Sequence, residues 1–464
     1  MKLLQTLAHR GVAPALILAL TALQLVYAAH LPLHGDEAYY WAWSQHPALS
    51  YFDHPPMIAW LLALTTAFGA SELAVRVVPA LCMGLSTWFI YRLTLEIYGH
   101  SAAILALLVF VALPVTQMGA LLATPDAPVV LFWSLGLYAS YQAIFSARGV
   151  WFLGAGAAIG LALLSKYTAI LFPAALFAFL LLRRRDLFLR GSTWRASLLG
   201  VAVFFPVLLW NAQHDWISFL FQYRHGSSSE GRLHWGTWFE FLAGIFLAFS
   251  PPLLFVALVA ALGRRTWRDE RRLFVALFLL LPLAFFLYKG LYKKMEPNWV
   301  AIAYPAAAVM AAGSIVERRL WKTLGFGLAM ALALSLLIKF PVELGLPAKW
   351  NIQNRLVGDR EAIADLLRLR RPGESLLADH YTTASLLGFY APDHPVVGIP
   401  TPTRFSQYDL WSSPSPHPRG LYLACEDRGS DLKSACGSAT LLKVYHFEQP
   451  GYRGKDFYFY RCGP

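Results

Sequence analysis

Apolar runs of about 17–25 residues, the length that crosses a hydrocarbon core about 30 Å thick, recur along the first three-quarters of the chain. They predict about eleven transmembrane helices, near 11–30, 73–97, 101–121, 126–146, 150–165, 167–183, 196–212, 238–262, 273–290, 299–316 and 323–340. Two short runs meeting at Ser165-Lys166 are read as separate spans. The stretch 55–70, opening with Pro55-Pro56, is apolar but short, and reads as a helix lying at the membrane interface. The first run is longer than a signal-peptide core, and Tyr27-Ala28-Ala29 is a poor small-x-small cleavage site, so an uncleaved first span is expected. Beyond residue 340 the pattern changes. Short runs such as 375–378 and 420–424, bounded by Pro, Gly and Asp, predict a small extracytoplasmic α/β domain over 341–464, after a transmembrane domain over 1–340.

Composition agrees with this division. The chain of 464 residues is 57% hydrophobic and only 14% charged, whereas soluble domains average about 45–50% apolar and about 25% charged. An ordinary cytosolic enzyme is excluded, and so is a disordered chain. There are 39 basic and 27 acidic residues, net +12. Residues 1–340 hold 25 Lys/Arg against 14 Asp/Glu, while 341–464 hold 14 against 13, so the excess lies between apolar spans and not on a nucleic-acid-binding face. With the N-terminus cytoplasmic, 17 basic residues (Lys2, Arg10 and the arginines of 183–195 and 264–272 among them) fall on the cytoplasmic side and 6 on the other. That bias sets the orientation. An odd number of crossings then places 341–464 outside, in the periplasm of a bacterial inner-membrane protein.

Those six basic residues oppose the bias, and four of them are lysines. Lys166 ends an apolar run; Lys289, Lys293 and Lys294 cluster between Tyr288 and Asn298. Snorkelling at span ends is one reading. The other is that these ammonium groups hold an anion at the outer leaflet, a lipid phosphate above all. Acidic residues mark the same side. The first outer loop carries Asp36, Glu37, Tyr39, Tyr40, Trp41, Trp43, Asp53 and His54 with no Lys or Arg, and Asp126 opens the fourth span. Helix capping would explain Asp36 and Asp126, and an interfacial belt would explain the aromatics. A functional site is the default for ionisable groups in such places. Carboxylates facing lysines suit transfer of a sugar from a lipid phosphate. The departing phosphate needs cationic stabilisation, and the acceptor hydroxyl needs one carboxylate as base. A transporter or flippase of lipid-linked or anionic substrates is the alternative, but it favours mid-bilayer charges and inverted repeats, neither of which is visible.

Cys82 reads as a packing residue. Cys425, Cys436 and Cys462 lie where a disulfide is permitted, with Cys425–Cys436 favoured by proximity among three pairings. No metal site is read from the spacing. No cofactor follows from the sequence, and a divalent-cation requirement stays open.

Several strings carry a family resemblance: Asp36-Glu37-Ala38-Tyr39-Tyr40-Trp41, Tyr51-Phe52-Asp53-His54-Pro55-Pro56, Thr124-Pro125-Asp126-Ala127-Pro128, Ser165-Lys166-Tyr167, Trp210-Asn211 with His214 and Trp216, Glu296-Pro297-Asn298-Trp299, and the tail string 404–411. The chain resembles the GT-C membrane glycosyltransferases, in the branch of the protein O-mannosyltransferases and the lipid A aminoarabinose transferase, and looks closest to the lipopolysaccharide galacturonosyltransferase group (RgtA/B/C/D-like). The resemblance implies a polyprenyl-phosphate-sugar donor, an extracytoplasmic lipid or glycan acceptor (lipid A, core oligosaccharide or another envelope glycan) and inversion at the anomeric carbon. It implies Asp36 as catalytic base, with Glu37 and Asp126 as further acids. Lys166 is placed on the donor phosphate, with Lys289, Lys293 and Lys294 behind it. Tyr39, Tyr40, Asp53, His54 and Asn298 are expected on the sugar or acceptor. Gln407, Tyr408 and Trp411 of the tail offer polar and stacking groups that would shape the acceptor side, and a plain folding motif explains them equally. The aminoarabinose transferase is longer and has basic residues in its first loop that this sequence lacks.

Overall fold

The computed structural model describes residues 11–146, 148–226, 233–401, 404–411 and 418–463. Lys2, Arg10 and Arg232, which enter the charge balance, lie outside the described residues. In chain order the helices begin with α1 (Val12–Ala28), α2 (Gly35–Ser44), α3 (Met57–Thr65), α4 (Glu72–Tyr98), α5 (His100–Ala112) and α6 (Pro114–Gly119). There follow α7 (Asp126–Phe145), α8 (Val150–Ser165), α9 (Leu171–Arg183), α10 (Gly191–Gln213) and α11 (Ile217–Gly226). Next come α12 (Trp235–Phe249), α13 (Pro251–Leu262), α14 (Arg264–Arg268), α15 (Glu270–Gly290), α16 (Tyr304–Arg318) and α17 (Trp321–Lys339). The remainder alternates: α18 (Asp359–Leu367), β1 (Leu376–Ala378), α19 (Tyr381–Tyr390), α20 (Gln407–Trp411), β2 (Gly420–Ala424), α21 (Gly429–Cys436), β3 (Ala439–Phe447) and β4 (Lys455–Cys462).

Among the described residues, six helices are long and apolar enough to cross a membrane, or seven if the bent pair α12–α13 is one span. The other apolar segments are interrupted for local reasons. Leu113 takes an extended conformation between α5 and α6, where Pro114 starts a new helix. Ser250 has φ 81° ahead of Pro251-Pro252, and α12 meets α13 at 96°. The Ser250 hydroxyl donates to the carbonyl of Gly327 at 2.8 Å, which satisfies a polar group at the bend. Lys166, at φ −157°, ψ 139°, ends α8, and a 3-10 turn over Tyr167–Ile170 leads into α9. The expected interfacial helix is the nine-residue α3; at about 1.5 Å per residue it is too short to cross.

The chain divides into two units. The first takes residues to Val26, His54–Ile58 and Arg76–Ser335. Within it, small residues bring α8 and α10 together: a Cβ on Gly156 would lie 2.1 Å from the Ala196 carbonyl oxygen, and one on Gly160 would lie 2.7 Å from that of Gly200. This close approach of backbones is how helices associate when lipid supplies no hydrophobic drive. Trp133 of α7 packs edge-on to Phe172 of α9 at 4.9 Å, and Phe172 lies 4.6 Å from Phe278 of α15. These contacts fix the helices that present Asp126 and Lys166.

The second unit takes Tyr27–Asp53, Ala59–Val75 and Leu336–Pro464. Its sheet has the order β1-β2-β4-β3, with β1 parallel to β2 and the other pairs antiparallel. Helix α2 of the first loop packs on α19, so closely that a Cβ on Gly35 would meet Thr382 at 2.6 Å. The disulfide joins Cys436 to Cys462, not Cys436 to Cys425. Cys425 follows the Ala424 end of β2, whereas α21 returns the chain toward the Gly420 end, where the register sets Cys462 opposite Gly420. Proximity in sequence is overridden by the helix between the two cysteines.

Candidate active site

In the second unit the site builds outward from the start of α2. His34 caps this helix, its Nδ1 accepting from the Asp36 amide at 3.2 Å, and Glu37 Oε2 accepts the His34 amide at 2.9 Å. That is a capping box with histidine at the cap. Glu37 is fully buried and turned back on the backbone. Asp36 is left as the open carboxylate of the pair: its side chain is 41% exposed, with the Tyr381 hydroxyl 3.5 Å from Oδ1. The helix terminus adds a favourable field for a negative charge at Asp36.

Asp53, by contrast, is buried and enclosed. Tyr39 donates its hydroxyl to Oδ2 at 2.7 Å, and Arg404 pairs with Oδ1. The Tyr39 hydroxyl oxygen also accepts the Gln407 amide at 2.8 Å, while Gln407 Oε1 accepts the Phe52 amide at 2.8 Å. Burial raises the Asp53 carboxyl above the ordinary range, with Arg404 and Tyr39 opposing the shift and Asp36 adding to it. Burial, reinforced by Asp53, also holds the Tyr39 phenol well above its usual value. The Arg404 guanidinium lies 4.8 Å from the centre of the Tyr381 ring, a cation–π contact. Tyr381 therefore touches both Asp36 and Arg404, and burial followed by the Asp36 charge pushes its phenol up.

The aromatics of α2 are mostly packed away. Tyr39 lies 4.5 Å from Tyr381, and Tyr39 and Tyr40 each lie 5.0 Å from Trp43, which stacks on Tyr51 at 4.4 Å. Both tyrosines are buried, so the polar hydroxyl of Tyr39, more than any ring face, is what this run contributes here.

In the first unit a second cluster forms. Lys166 Nζ lies 2.6 Å from Asp126 Oδ1, and Asn298 Nδ2 donates to Asp126 Oδ2 at 3.0 Å. Lys166 and Asp126 are largely buried, with side chains 9% and 16% exposed, while Asn298 is exposed. Asp126 stands in the first turn of α7, directly after the N-cap Pro125. Lys289, Lys293 and Lys294 lie at the end of α15 and in the turn before the 3-10 helix Pro297–Ala303, which supplies Asn298. Lys294 is exposed, and burial lowers the Lys293 ammonium from its ordinary value. His54, next in sequence to Asp53, belongs to this unit and is half-buried.

The Trp210/Asn211/His214/Trp216 string serves a turn. Asn211 accepts the amides of His214 and Trp216 on its carbonyl, the rings of Trp210 and His214 stack at 4.0 Å, and Asp215 and Trp216 take φ of 51° and 57°. Left-handed backbone at two consecutive non-glycine residues is costly and persists only where surroundings enforce it. The turn leads to Ser218, whose hydroxyl meets that of Tyr167 at 2.7 Å, one residue beyond Lys166.

Among the described residues, no three His, Cys, Asp or Glu side chains gather as a metal site. Tyr381 and Arg404 have no place in the sequence reading, and Arg404 carried the one signal of the two. That signal was membership of the tail string 404–411.

Residues 53–210 match the family described as dolichyl-phosphate-mannose-protein mannosyltransferase. Superposition on ArnT from Cupriavidus metallidurans, solved in the apo state and bound to undecaprenyl phosphate, gives a TM-score of 0.67 over 96% of this chain and 97% of that one, at 16% identity. The chain has the GT-C glycosyltransferase fold. By sequence the chain is 27% identical to the lipid A galacturonosyltransferase RgtD of Rhizobium johnstonii, over 70% of each chain. It is 30% identical to the undecaprenyl phosphate-alpha-4-amino-4-deoxy-L-arabinose arabinosyl transferase 1 of Pseudomonas fluorescens, over 61% of this chain and 54% of that relative. The match thus spans little more than half the length of the second relative.

Proposed function

We propose that this chain is an inner-membrane glycosyltransferase that moves a sugar from a polyprenyl-phosphate donor to a hydroxyl of an envelope lipid or glycan, lipid A being the first candidate. Asp36 is the base. It takes the proton of the acceptor hydroxyl as that oxygen attacks the anomeric carbon, the bond from that carbon to the phosphate oxygen breaks, and the electron pair leaves with the polyprenyl phosphate, inverting the centre. Because the leaving group is already a phosphate, no general acid is needed and cations suffice. Lys166 is the first cation for that phosphate, with Lys289, Lys293 and Lys294 behind it. Asp126 and Asn298 hold Lys166 in place and so act as positioning residues. The observation that carries the reading is the division of labour at α2: Glu37 closes the capping box and leaves Asp36 open.

Topologically, the reading is eleven crossings, with the N-terminus cytoplasmic and a C-terminal α/β domain over 341–464 in the periplasm. The six long helices, the bent pair and four shorter apolar helices make eleven if each crosses. Nothing in the relatives favours the transporter alternative.

The test is mass analysis of envelope glycolipids from cells lacking the gene and complemented with the wild type or Asp36→Asn. One sugar residue should disappear from an acceptor, return with the wild type and stay absent with the variant at equal protein level. Near-normal product from Asp36→Asn would remove the base assignment; an unchanged glycolipid profile in the deletion would remove the proposed function.

A further inference from the structure

Helices α7, α8, α9 and α10 of the first unit line an apolar cavity of about 490 Å³ that the transfer chemistry leaves unused. Along α8 it extends from Leu163, close to Lys166, back to Phe152. The eleven steps along the helix between them rise roughly 16 Å, about half of a ~30 Å hydrocarbon core. The cavity therefore has the length of a chain from a single leaflet.

Its polar features lie at one end. Ser140, 2% exposed, and Thr193 both line it, and the hydroxyl oxygens of both are buried without a hydrogen-bond partner. Buried polar groups in native structures almost always have partners, so two orphans on one cavity point to a missing ligand. On the same rim Arg184 Nη1 donates to the carbonyl of Ile144, itself a lining residue, at 3.2 Å. Segment 183–195 carries Arg183, Arg184, Arg185, Arg190 and Arg195 against one carboxylate, Asp186, which pairs with Arg184 and Arg190. This arginine-rich end is opposite the Asp126 end of α7, because Ser140 and Ile144 stand near its C-terminus.

We infer that the cavity is a binding site for an anionic glycerophospholipid from the leaflet opposite Lys166. One acyl chain lies along α8 and α9, the glycerol ester oxygens accept from Ser140 and Thr193, and the phosphate rests on the arginines of 183–195. A polyprenyl chain entering from the Lys166 end would leave both hydroxyls unpaired and put its own phosphate far from these arginines. The inference rests on membrane insertion and not on sugar transfer.

Full-length protein in detergent is photo-labelled with phosphatidylglycerol carrying a diazirine in its acyl chain, and the adducts are mapped by peptide mass spectrometry. Labelling should concentrate on lining residues between 140 and 201 and be competed by unlabelled phosphatidylglycerol more strongly than by phosphatidylcholine. Arg184→Gln and Arg190→Gln should each weaken competition by phosphatidylglycerol about fivefold, since one cation near a lipid phosphate contributes about 1 kcal/mol. Ala155→Phe, which fills the cavity, should abolish the adducts; should that variant not fold, the wild-type competition decides. Labels scattered evenly over the outer faces of the helices would overturn the site, as would equal competition by the two phospholipids. Competition by undecaprenyl phosphate alone would reassign the groove to the donor chain. None of these readouts depends on transfer, so the site and the proposed activity can fail separately.

Discussion

Arg404 pairs with Asp53 across 351 residues of sequence, joining the tail to the first loop within the second unit. Asp53 is almost fully enclosed, so its ionised form depends on what faces it, and Arg404 and Tyr39 supply that compensation. Arg404→Ala is expected to cost about 1–3 kcal/mol, because it withdraws a charged hydrogen-bond donor from a buried carboxylate. Asp53→Asn in the same background should recover part of that loss, since the neutral amide needs no cation. Thermal unfolding of the four members of this double-mutant cycle measures the coupling; independent, additive losses would refute it.

Lys166 and Asp126 allow stability to be separated from transfer. Removing one partner of a buried ion pair costs about 3–5 kcal/mol, whereas removing both is far milder. Lys166→Ala alone should therefore lower the unfolding midpoint markedly, and Lys166→Ala with Asp126→Ala should return it near the wild type. If Lys166 also receives the donor phosphate, the double variant will fold but transfer weakly, with its donor KM raised. Normal donor dependence in a well-folded double variant would shift the phosphate to the 289–294 lysines.

The difference between these two pairs explains what could be read in advance. Lys166 and Asp126 stand out because ionisable groups are few in apolar runs, so each one invites a partner, and Asn298 joins them from a string singled out only by the family resemblance. Arg404 has no such contrast. It sits in a charge-balanced tail where an arginine is unremarkable, and only the folding of α2 against α19 gives it Asp53 and Tyr381 as neighbours. The same limit applied to Cys436: its partner is set by the β2–β4 register, which no local spacing reveals. The apolar runs made the helices legible, six of which, or seven with the bent pair, are long and apolar enough to cross a membrane among the described residues. The breaks at Leu113 and Ser250 were not, although each precedes a proline and so carried a weak local signal.

The disulfide offers a further test of the second unit. It closes a loop between residues 26 apart, for which chain-entropy arguments give about 3–4 kcal/mol of stabilisation. Cys436→Ser with Cys462→Ser should lower the free energy of unfolding by that amount, and a reducing agent should reproduce the loss in the wild type. Cys425→Ser should leave the reductant response intact. If Cys425→Ser removed the response instead, the pairing would be wrong.

A pH effect follows from the cap of α19. His380 Nδ1 accepts the Thr382 amide at 3.4 Å and meets the Thr382 hydroxyl at 2.7 Å, so the ring must be neutral at Nδ1 to serve as the cap. Burial is the leading cause that lowers its pKa below the ordinary value, and the charge of Asp379 opposes it. A depressed histidine means that the unfolded chain binds the proton more readily than the folded one, so stability rises with pH across this window. The contribution is fully present above the unfolded pKa near 6.5 and declines as pH falls from there toward the lower folded value. Acidification from about pH 7 to pH 5.5 should thus lower the unfolding midpoint of the wild type and loosen the start of α19, where Tyr381 meets Asp36. His380→Asn keeps a good capping acceptor without a titrating group, and should flatten that part of the profile while preserving the midpoint at neutral pH. An unchanged slope in His380→Asn would assign the acid sensitivity to other groups.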